Sequence, residues 1–360
     1  MQKINNNKTV VVALSGGVDS SVVALLLKKQ GYNVVGLHMR DGDSPEKIQD
    51  EQIVRDLCKK LNIQCEIVEF KNEMQLVKDY FIAEYKKGRT PNPCVICNRE
   101  VKFKPFLDFA EKYNAEFYAT GHYVCIEHDG DKHILKKALD KNKDQSYFLN
   151  QVESYKLKKA LFPLGNLSKD EVRSIAEKND LITAHKKDSY DVCFIGSKKF
   201  KDFMNKNFPE KAGKIIEVKT GKIVGRHDGI SKYTIGQRKG LGIGGLAGGS
   251  GEGWFVINKD IDKNILYVAQ GDGDELLSSG LVADSMNWLT DIYKIKEFEC
   301  YAKFRYRQED QGVKVEVLSK DKINVVFKDK QRAITVGQYV VLYDKDGCLL
   351  GGGIIQEVKR

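Results

Sequence analysis

The chain has 360 residues and a formal charge of +9 at pH 7, from 59 basic and 50 acidic side chains. This length predicts two or three domains, and the charge is compatible with a polyanionic partner without requiring one. No apolar run reaches the roughly 18 to 20 residues that cross a bilayer, and the polar start lacks a signal sequence, so we expect a cytoplasmic protein that does not contact membranes.

The first predicted element is a buried strand over residues 9–14, followed by two glycines and a helix over residues 22–29. The glycines let the backbone approach an anion, and the neighbouring serines and the first N–H groups of the helix can donate to it. Asp19 has no packing purpose in such a turn, because a carboxylate repels phosphate unless it holds Mg²⁺ or orients a reacting group. The loop therefore predicts a site for the pyrophosphate group of a nucleotide, although it is neither a Walker A loop nor a dinucleotide fingerprint.

Up to about residue 122, short apolar runs alternate with amphipathic segments, which is the pattern of a doubly wound α/β domain with a parallel sheet. Further strands are predicted over residues 33–39, 65–70 and 116–121, and helices over residues 47–61, 73–85 and 101–113. In such a domain the loop after the first strand lies at the carboxyl edge of the sheet, where open α/β folds bind ligands. Residues 36–39, at the end of the second strand, are expected beside the nucleotide.

Two of the eight cysteines, Cys94 and Cys97, belong to a segment that contains two prolines. Because proline disfavours a continuous helix, we expect an exposed loop in which both thiols can reach a ligand. The C-x-x-C spacing suits half of a zinc site, a redox dithiol or one edge of an iron–sulfur site. No second pair of this kind exists, so Cys193 is the natural third partner, the alternative being a buried cysteine among apolar neighbours.

Beyond residue 122 the sequence predicts a hairpin, residues 124–127 against 133–137, and then a helix that starts with a capping box at Ser168. From about residue 210, short alternating segments separated by Gly, Asp and Lys turns indicate small β-rich modules. We therefore expect domains over residues 1–205, 206–274 and 275–360.

A series of motifs resembles one known family. The loop Ser15-Gly16-Gly17-Val18-Asp19-Ser20 resembles the signature of the PP-loop ATP pyrophosphatases, which split ATP between the α and β phosphates and adenylate an oxygen of a second substrate. Taken with the later motifs, the chain resembles the bacterial tRNA-specific 2-thiouridylases nearly end to end. The later motifs occupy residues 88–93, 97–98, 119–123, 143–149, 193–196, 233–238 and 305–308.

The resemblance implies a PP-loop ATPase domain of the adenine nucleotide alpha hydrolase-like type, a small central β-rich domain and a C-terminal β-barrel, the last two binding tRNA. It also implies a tRNA-uridine 2-sulfurtransferase that uses ATP and Mg²⁺ to place sulfur on C2 of the wobble uridine, position 34, in the tRNAs for Lys, Glu and Gln. Adenylation makes chemical sense because the C2 oxygen is a poor leaving group and AMP is a better one. The base must leave the anticodon-loop stack, which unpaired loop bases do at low cost.

The resemblance further implies roles for the residues that match the family's motifs. The ATP contacts would be Ala13, Leu14, Ser15, Gly16, Gly17, Val18, Asp19, Ser20, Met39 and Gly121. The tRNA contacts would be Asn92, Pro93, Cys94, His122, Lys143, Asp144, Gln145, Arg305, Tyr306 and Gln338. The catalytic residues would be Asp19, Cys97 and Cys193.

The chain departs from the commonest family pattern at Cys94, where many members have aspartate. In a persulfide scheme, Cys193 carries the transferable sulfur and attacks C2, and Cys97 releases the thiolated base by forming a disulfide with Cys193. In the alternative scheme, which resembles iron–sulfur-dependent tRNA thiolases, Cys94, Cys97 and Cys193 hold three irons of a [4Fe–4S] cluster whose fourth iron binds sulfide. The third thiol slightly favours the cluster scheme.

Two further classes of protein stay open at this point. A PP-loop ligase or amidotransferase would deliver nitrogen and make no thiolated base, and a non-catalytic RNA-binding protein with a structural metal would not turn ATP into AMP. For a thiolating enzyme, the sulfur donor is either a cysteine desulfurase relay or sulfide, and the sequence does not distinguish them.

Overall fold

A computed structural model describes residues 8–130, 132–188, 194–195, 200–208, 211–244, 252–271 and 273–360. The N-terminal part contains a sheet of five strands, β1 (Thr9–Ala13), β2 (Asn33–Arg40), β3 (Gln64–Glu69), β4 (Phe117–Ala119) and β7 (Ala160–Leu161). Between the last two strands lies a separate hairpin of β5 (Cys125–Asp129) and β6 (Lys132–Lys136), as predicted. The sheet order is β3-β2-β1-β4-β7, and every pair is parallel.

Helices pack on both faces of this sheet. The helices of the described chain are α1 (Val18–Lys29), α2 (Pro45–Leu61), α3 (Lys71–Lys86), α4 (Pro93–Ile96), α5 (Lys104–Lys112), α6 (Ser154–Leu157), α7 (Lys169–Lys178) and α8 (Phe200–Asn207). On one face Val10 and Val12 pack against α1, α2 and α7, and on the other Val11 and Leu37 pack against α5. Alternate residues of each strand thus enter opposite layers of core, and the predicted doubly wound architecture is confirmed.

Two helical segments begin at least four residues earlier than the sequence predicted. Helix α1 starts at Val18, not at residue 22, because its polar first turn has unsatisfied N–H groups that tolerate serine and favour the charge of Asp19. The predicted exposed loop at residues 90–98 is wrong, since α4 starts at Pro93 and continues as a π-helix, Cys97–Phe103, into α5. Pro93 is tolerated because it occupies the first helical position, where its missing N–H has no partner within the helix.

The rest of the chain is rich in β structure, as predicted. A four-stranded sheet in the order β10-β11-β8-β9 consists of β8 (Gly213–Glu217), β9 (Ile223–His227), β10 (Trp254–Asp260) and β11 (Ile265–Gln270). A closed barrel follows, made of β12 (Leu277–Trp288), β13 (Glu297–Lys303), β14 (Gln311–Ser319), β15 (Lys322–Arg332), β16 (Tyr339–Tyr343) and β17 (Leu349–Lys359). Short 3₁₀-helices occupy Ser146–Leu149, Ile230–Lys232, Asp274–Leu276 and Asp291–Lys294.

The barrel packs closely on the N-terminal part. The Tyr147 hydroxyl donates to the Tyr339 carbonyl at 3.0 Å, and the hydroxyls of Ser146 and Tyr343 lie 3.1 Å apart. All four residues are fully buried in a core that also includes strand β1. Within the described ranges, no helix combines the length and apolarity that crossing a bilayer requires. The domain boundaries near residues 206 and 275 stay a prediction.

Candidate active site

A cavity of about 310 Å³ opens where β1, β2 and β4 end. Residues 13–15, 37–39 and 120–122, which follow or end these three strands, form much of its wall. Its other lining residues are Asp19, Ser20, Asp41, Lys47, Asp50, Phe70, Met74, Lys102 and Gln145. The cavity therefore occupies the carboxyl edge of the sheet, where open α/β folds bind ligands.

The loop after β1 is held by hydrogen bonds between its own residues. The Ser15 N–H donates to Ser20 Oγ at 3.2 Å, and the Ser21 hydroxyl donates to the Gly17 carbonyl at 2.8 Å. Gly16 has a φ of +75°, and a Cβ there would lie 3.0 Å from the Asp50 carbonyl oxygen, so this position requires glycine. Of the implied ATP contacts, those that line the cavity are Ala13, Leu14, Ser15, Asp19, Ser20, Met39 and Gly121. Of the others, Gly16 and Gly17 form the turn and Val18 begins α1.

The carboxylate of Asp19 is fixed through one of its oxygens. Oδ1 accepts a hydrogen bond from the Tyr123 hydroxyl at 2.8 Å and another from Lys169 Nζ at 2.6 Å. Burial, and then the charge of Asp19, raise the pKa of Tyr123, so its hydroxyl keeps the proton that it donates. Among the described residues none donates to Oδ2 of Asp19, which leaves that oxygen available to a cation or a reacting group.

Lys169 connects this carboxylate to a second one. Its Nζ lies 2.8 Å from Asp188, which also pairs with Lys143 at 2.8 Å and with Arg173 at 2.9 Å. Burial by itself raises the pKa of Asp188, but the hydrogen bonds from Lys143 and Lys169 outweigh it and the pKa is lowered. The sequence analysis missed Lys169, Arg173 and Asp188. The only signal was the capping box at Ser168, which places Lys169 in the first turn of α7.

Two further carboxylates that line the cavity are paired with lysines. Asp41 lies 2.9 Å from Lys47, and Asp50 forms an ion pair with Lys186. Lys186 Nζ also donates to the carbonyl oxygen of Gly16 at 3.0 Å, which ties residue 186 to the phosphate loop. Asp41 follows the end of β2, and the tendency of open α/β folds to bind ligands at the carboxyl ends of their strands could have indicated it. No local sequence pattern around residue 186 indicates its contact with the phosphate loop.

Two residues implied as tRNA contacts, His122 and Gln145, line the cavity instead of an outer surface. Nδ1 of His122 lies 2.7 Å from the Thr120 hydroxyl, and burial, then the charge of Lys102, lower the pKa of this ring well below 6.5. The imidazole is therefore neutral at pH 7. Gln145 Oε1 accepts from the Tyr123 N–H at 3.0 Å, which places it beside the residue that holds Asp19.

The two neighbouring cysteines differ in exposure. Cys94 is exposed on α4, whereas Cys97 is only 7% exposed at the start of the π-helix. The prediction that both thiols lie in an exposed loop is therefore wrong for Cys97, because the helix turns that residue into the core. Cys97 packs in an apolar cluster with Phe70 and Met74, and both of these side chains also line the cavity.

The third cysteine, Cys193, lies outside the described residues. Phe194, which follows it in the sequence, packs against the apolar cluster that contains Cys97. Within the described part of the chain, no group of three His, Cys, Asp or Glu side chains could hold a metal ion.

Three other implied tRNA contacts lie on the barrel. Gln338 Nε2 donates to the Thr90 carbonyl at 2.9 Å, and so joins the barrel to the segment that precedes the cysteines. The ring of Tyr306 packs on Phe148 with centroids 4.3 Å apart, and the guanidinium of Arg305 donates to a barrel carbonyl. The structure thus places Gln338 and Tyr306 where the barrel meets the N-terminal part.

The remaining implied tRNA contacts are partly internal. Pro93 is buried, and Asn92 is the half-buried residue that precedes α4. Asp144 is 4% exposed, and its carboxylate accepts from the N–H groups of Ala138 and Ser146 at 3.1 and 3.2 Å. This carboxylate therefore holds the backbone ahead of Tyr147.

Family models match three consecutive parts of the chain. They are described as a tRNA methyl transferase HUP domain over residues 8–197, a tRNA methyl transferase PRC-barrel domain over residues 201–270 and an aminomethyltransferase beta-barrel domain over residues 278–355. The order of these models agrees with the parallel sheet, the smaller sheet and the closed barrel described above.

Relatives that match the chain over its full length identify its family more specifically than these models do. The chain is 48% identical over 368 residues to the tRNA-specific 2-thiouridylase MnmA of Alkaliphilus oremlandii, with 100% of both chains covered. It is 50% identical over 367 residues to the protein of the same name in Streptococcus thermophilus, covering 99% of this chain and 97% of that one. The chain belongs to the tRNA-specific 2-thiouridylase family. The predicted resemblance is thereby confirmed, as are the fold class and the enzyme class, a tRNA sulfurtransferase.

A third relative agrees with these two. The MnmA protein of Bacillus subtilis is 46% identical over 369 residues, with 100% of this chain and 98% of that one covered. Although two of the family models carry the words methyl transferase, the relatives that match end to end are named thiouridylases. Among solved structures, the U34-tRNA thiolase NcsA of Methanococcus maripaludis with its [4Fe-4S] cluster covers 57% of this chain and 68% of its own at 22% identity, with a TM-score of 0.38, too distant to bear on this chain's cofactor.

Proposed function

We propose that this protein uses ATP to replace the C2 oxygen of the wobble uridine, position 34, with sulfur in the tRNAs for Lys, Glu and Gln. The observation that carries the proposal is a shared wall, because Phe70 and Met74 line the phosphate-loop cavity and also pack against Cys97. Such a wall suits a reaction in which a base is adenylated and then attacked by sulfur without leaving the site. A nitrogen-delivering ligase or a structural-metal protein has no use for it.

In the first step ATP occupies the cavity with its phosphates at the loop and at the N-terminus of α1. The uridine C2 oxygen attacks the α-phosphorus, the bond to the β-phosphate bridge breaks, and pyrophosphate leaves. We assign Oδ2 of Asp19 to Mg²⁺, since Oδ1 already accepts from Tyr123 and Lys169. Mg²⁺ bound there would neutralise phosphate charge, which suits its preference for one or two carboxylates together with phosphate oxygens.

In the second step sulfur replaces AMP at C2. In the persulfide scheme, the outer sulfur of a Cys193 persulfide attacks C2, and the C2–O bond breaks with its electron pair leaving on AMP. The Cys97 thiolate then attacks Cys193 Sγ, which releases 2-thiouridine and leaves a disulfide between the two cysteines. This scheme needs a donor that regenerates the persulfide and a reductant that opens the disulfide.

The cluster scheme uses the same cysteines differently. Cys94, Cys97 and Cys193 would hold a [4Fe–4S] cluster, which supplies an iron with an open position for sulfide. Cys94 and Cys97 stand three residues apart across the junction of α4 and the π-helix, the C-x-x-C spacing of two ligands of one group, with Cys94 exposed and Cys97 buried. We favour this scheme because the added thiol at position 94 completes the donor set.

We further propose that tRNA binds where the barrel meets the N-terminal part. The aromatic pair of Tyr306 and Phe148 offers a surface on which an unpaired base can stack, and Arg305 lies next to it in the sequence. Gln145 lines the cavity, Gln338 donates to the Thr90 carbonyl of the cysteine segment, and Lys143 pairs with Asp188. Because the proposed substrate is tRNA, we also propose that the protein acts in the cytoplasm and that its sulfur donor is a cysteine desulfurase relay or sulfide.

We retain the proposed domains over residues 1–205, 206–274 and 275–360. Two observations support this division. The first strand of the smaller sheet begins at Gly213, and the first strand of the barrel begins at Leu277.

Thiolation of tRNA that lacks the modification tests the proposal directly. Protein purified under anaerobic conditions is expected to form 2-thiouridine and to release AMP and pyrophosphate only when tRNA is present. Cys97→Ser and Cys193→Ser should abolish thiolation, whereas Cys300→Ser, in the barrel core, should not. AMP release without any thiolated base would contradict the proposed function.

Iron and sulfide analysis of the same preparation distinguishes the two sulfur schemes. The cluster scheme predicts a broad brown absorption that Cys94→Ala weakens. An iron-free, colourless protein that is fully active with a persulfide donor would overturn that scheme and leave the thiolation itself intact.

A further inference from the structure

Lys102 is a cavity residue for which neither the motifs nor the resemblance gave a role. It belongs to the π-helix between α4 and α5, and its side chain lines the same cavity as Asp19, Ser20 and Met39. We infer that Lys102 binds the α-phosphate of ATP and of the adenylated uridine, and that it stabilises AMP as the leaving group. This inference rests on the proposed function and names a further substrate-binding residue for it.

The first argument is the balance of charge in the cavity. Three carboxylates line it, and each has a lysine partner: Asp19 with Lys169, Asp41 with Lys47, and Asp50 with Lys186. Two lysines line it, and only one of them, Lys47, is neutralised in this way. The ammonium group of Lys102 makes no ion pair or hydrogen bond with any residue that the structure describes.

A positive charge without a partner in a concave site attracts an anion. Two other lining residues do not supply one, because His122, whose pKa the charge of Lys102 lowers, is neutral at pH 7 and Gln145 is uncharged. Lysine can offer up to three N–H donors to phosphate oxygens as a compact point charge. The phosphates of the nucleotide are therefore the natural partner of Lys102.

The position of Lys102 along the π-helix indicates which phosphate of ATP it contacts. Lys102 follows Cys97 by five residues, the separation that one backbone hydrogen bond spans in a π-helix. The β- and γ-phosphates are expected at the loop and at the start of α1, to which Lys102 does not belong. The α-phosphate lies between that loop and the cysteine side, because it is the group to which the C2 oxygen becomes attached.

The chemical consequence concerns both steps. In adenylation the α-phosphorus gains the uridine oxygen and loses the pyrophosphate oxygen, so negative charge builds up on its non-bridging oxygens. In sulfur substitution the C2–O bond breaks and its electron pair leaves with AMP. An ammonium group fixed beside the α-phosphate favours both steps without giving up its proton.

Binding of AMP and of adenosine to the free enzyme tests this assignment, because the two ligands differ only in the α-phosphate. In the full-length protein, Lys102→Gln should weaken AMP binding by roughly 10- to 100-fold, the loss expected for one charge-assisted hydrogen bond, and leave adenosine binding unchanged. Lys104→Gln is the matched control, since Lys104 is exposed two residues further along and does not line the cavity. Lys102→Met, which keeps the apolar stem, replaces Lys102→Gln if the latter fails to fold.

The assignment is overturned if AMP affinity falls less than fivefold, or if adenosine affinity falls by the same factor as AMP affinity, because Lys102 would then only shape the cavity. The assignment is also overturned if thiolation falls while AMP binding and tRNA-dependent AMP release stay at wild-type levels. Lys102 would then act in the sulfur substitution step and not on the α-phosphate. If wild-type protein binds AMP but forms no 2-thiouridine, the proposed function fails while the comparison of AMP with adenosine still decides whether Lys102 contacts phosphate.

Discussion

The phosphate loop, residues 13–20, lies at the cavity, and the cysteine segment, residues 89–97, packs through Cys97 against Phe70 and Met74 of its wall, but the two are held in different ways. The loop's own hydrogen bonds join residues no more than five positions apart. The cysteine segment is held from the barrel, where the Thr90 N–H donates to the Val336 carbonyl at 3.0 Å and Gln338 donates back to Thr90 at 2.9 Å. One side of the site is built locally, and the other by contacts about 250 residues apart in sequence.

This difference has a functional meaning. The turn of the phosphate loop needs little beyond the parallel sheet and its first helix, although the Asp19 carboxylate also depends on Tyr123 and Lys169. The sulfur side needs the barrel, because Arg89, Thr90 and Pro91 all accept or donate hydrogen bonds across that interface. Substitutions in the loop should therefore stop both adenylation and sulfur substitution. Substitutions at the interface between the barrel and the cysteine segment should lower sulfur substitution without lowering adenylation.

The largest effect is expected at Asp19. Asp19→Asn keeps the size of the side chain but removes the charge that we assign to Mg²⁺ and that pairs with Lys169. Loss of a preorganised electrostatic group of this kind costs roughly 10²- to 10³-fold in rate. We expect tRNA-dependent AMP release and 2-thiouridine formation to fall together by that factor, as measured on the same samples. Asp262→Asn, an exposed carboxylate outside the cavity, is the control and should leave both rates unchanged.

A variant Asp19→Asn that releases AMP at more than a tenth of the wild-type rate would contradict this role. A variant that releases AMP normally but forms no 2-thiouridine would contradict it equally, because Asp19 would then belong to the sulfur side.

The same division explains what the sequence could predict. The glycines and serines of the loop determine their own turn, so the parallel sheet and the position of the loop at its carboxyl edge are confirmed, whereas the nucleotide contacts of the loop stay a prediction. The predicted loop conformation at Cys97 is wrong because proline, which breaks a helix in its interior, is tolerated at the first helical position, where Pro93 lies. The partners of Asp19 lie more than a hundred residues away at Tyr123 and Lys169, and no local pattern records such a contact.

The second prediction tests whether the barrel positions the cysteine segment. Gln338→Ala removes the hydrogen bonds to the Thr90 and Pro91 carbonyls, which are worth about 1 kcal/mol each. We expect 2-thiouridine formation to fall roughly tenfold while AMP release changes less than twofold, so that more AMP is released per thiolated base. Gln75→Ala, on the exposed face of α3, is the control.

The alternative role for Gln338 is contact with tRNA alone. In that case the KM for tRNA would rise equally for AMP release and for thiolation, and the ratio of the two products would stay constant. A constant ratio would therefore contradict positioning by the barrel.

The third prediction concerns Asp188, which forms ion pairs with Lys143, Lys169 and Arg173. Its pKa is lowered in the folded protein, so its contribution to stability is present above its unfolded pKa and is lost as the pH falls through the folded value. Asp188→Asn should therefore lower the melting temperature at pH 7, and the difference from wild type should shrink as the pH is lowered below about 4. Melting curves of both proteins over this range provide the measurement. A difference that grows towards acid pH would contradict the predicted sign.

The smallest effect is expected at the capping box of α7, the helix that presents Lys169 to Asp19. The Ser168 hydroxyl accepts from the Glu171 N–H, and the Glu171 carboxylate accepts from the Ser168 N–H at 2.7 Å. Ser168→Ala should lower the free energy of unfolding by about 1 kcal/mol. Ser174→Ala, in the interior of the same helix, should not lower it, because alanine has the higher helix propensity.

The ion pair of Lys169 with Asp19 should survive the loss of the cap in Ser168→Ala, so AMP release at a temperature well below melting should match wild type. A fall in AMP release parallel to that of Asp19→Asn would show that the cap sets the position of Lys169, and that the adenylation side depends on distant helices as strongly as the cysteine segment depends on the barrel.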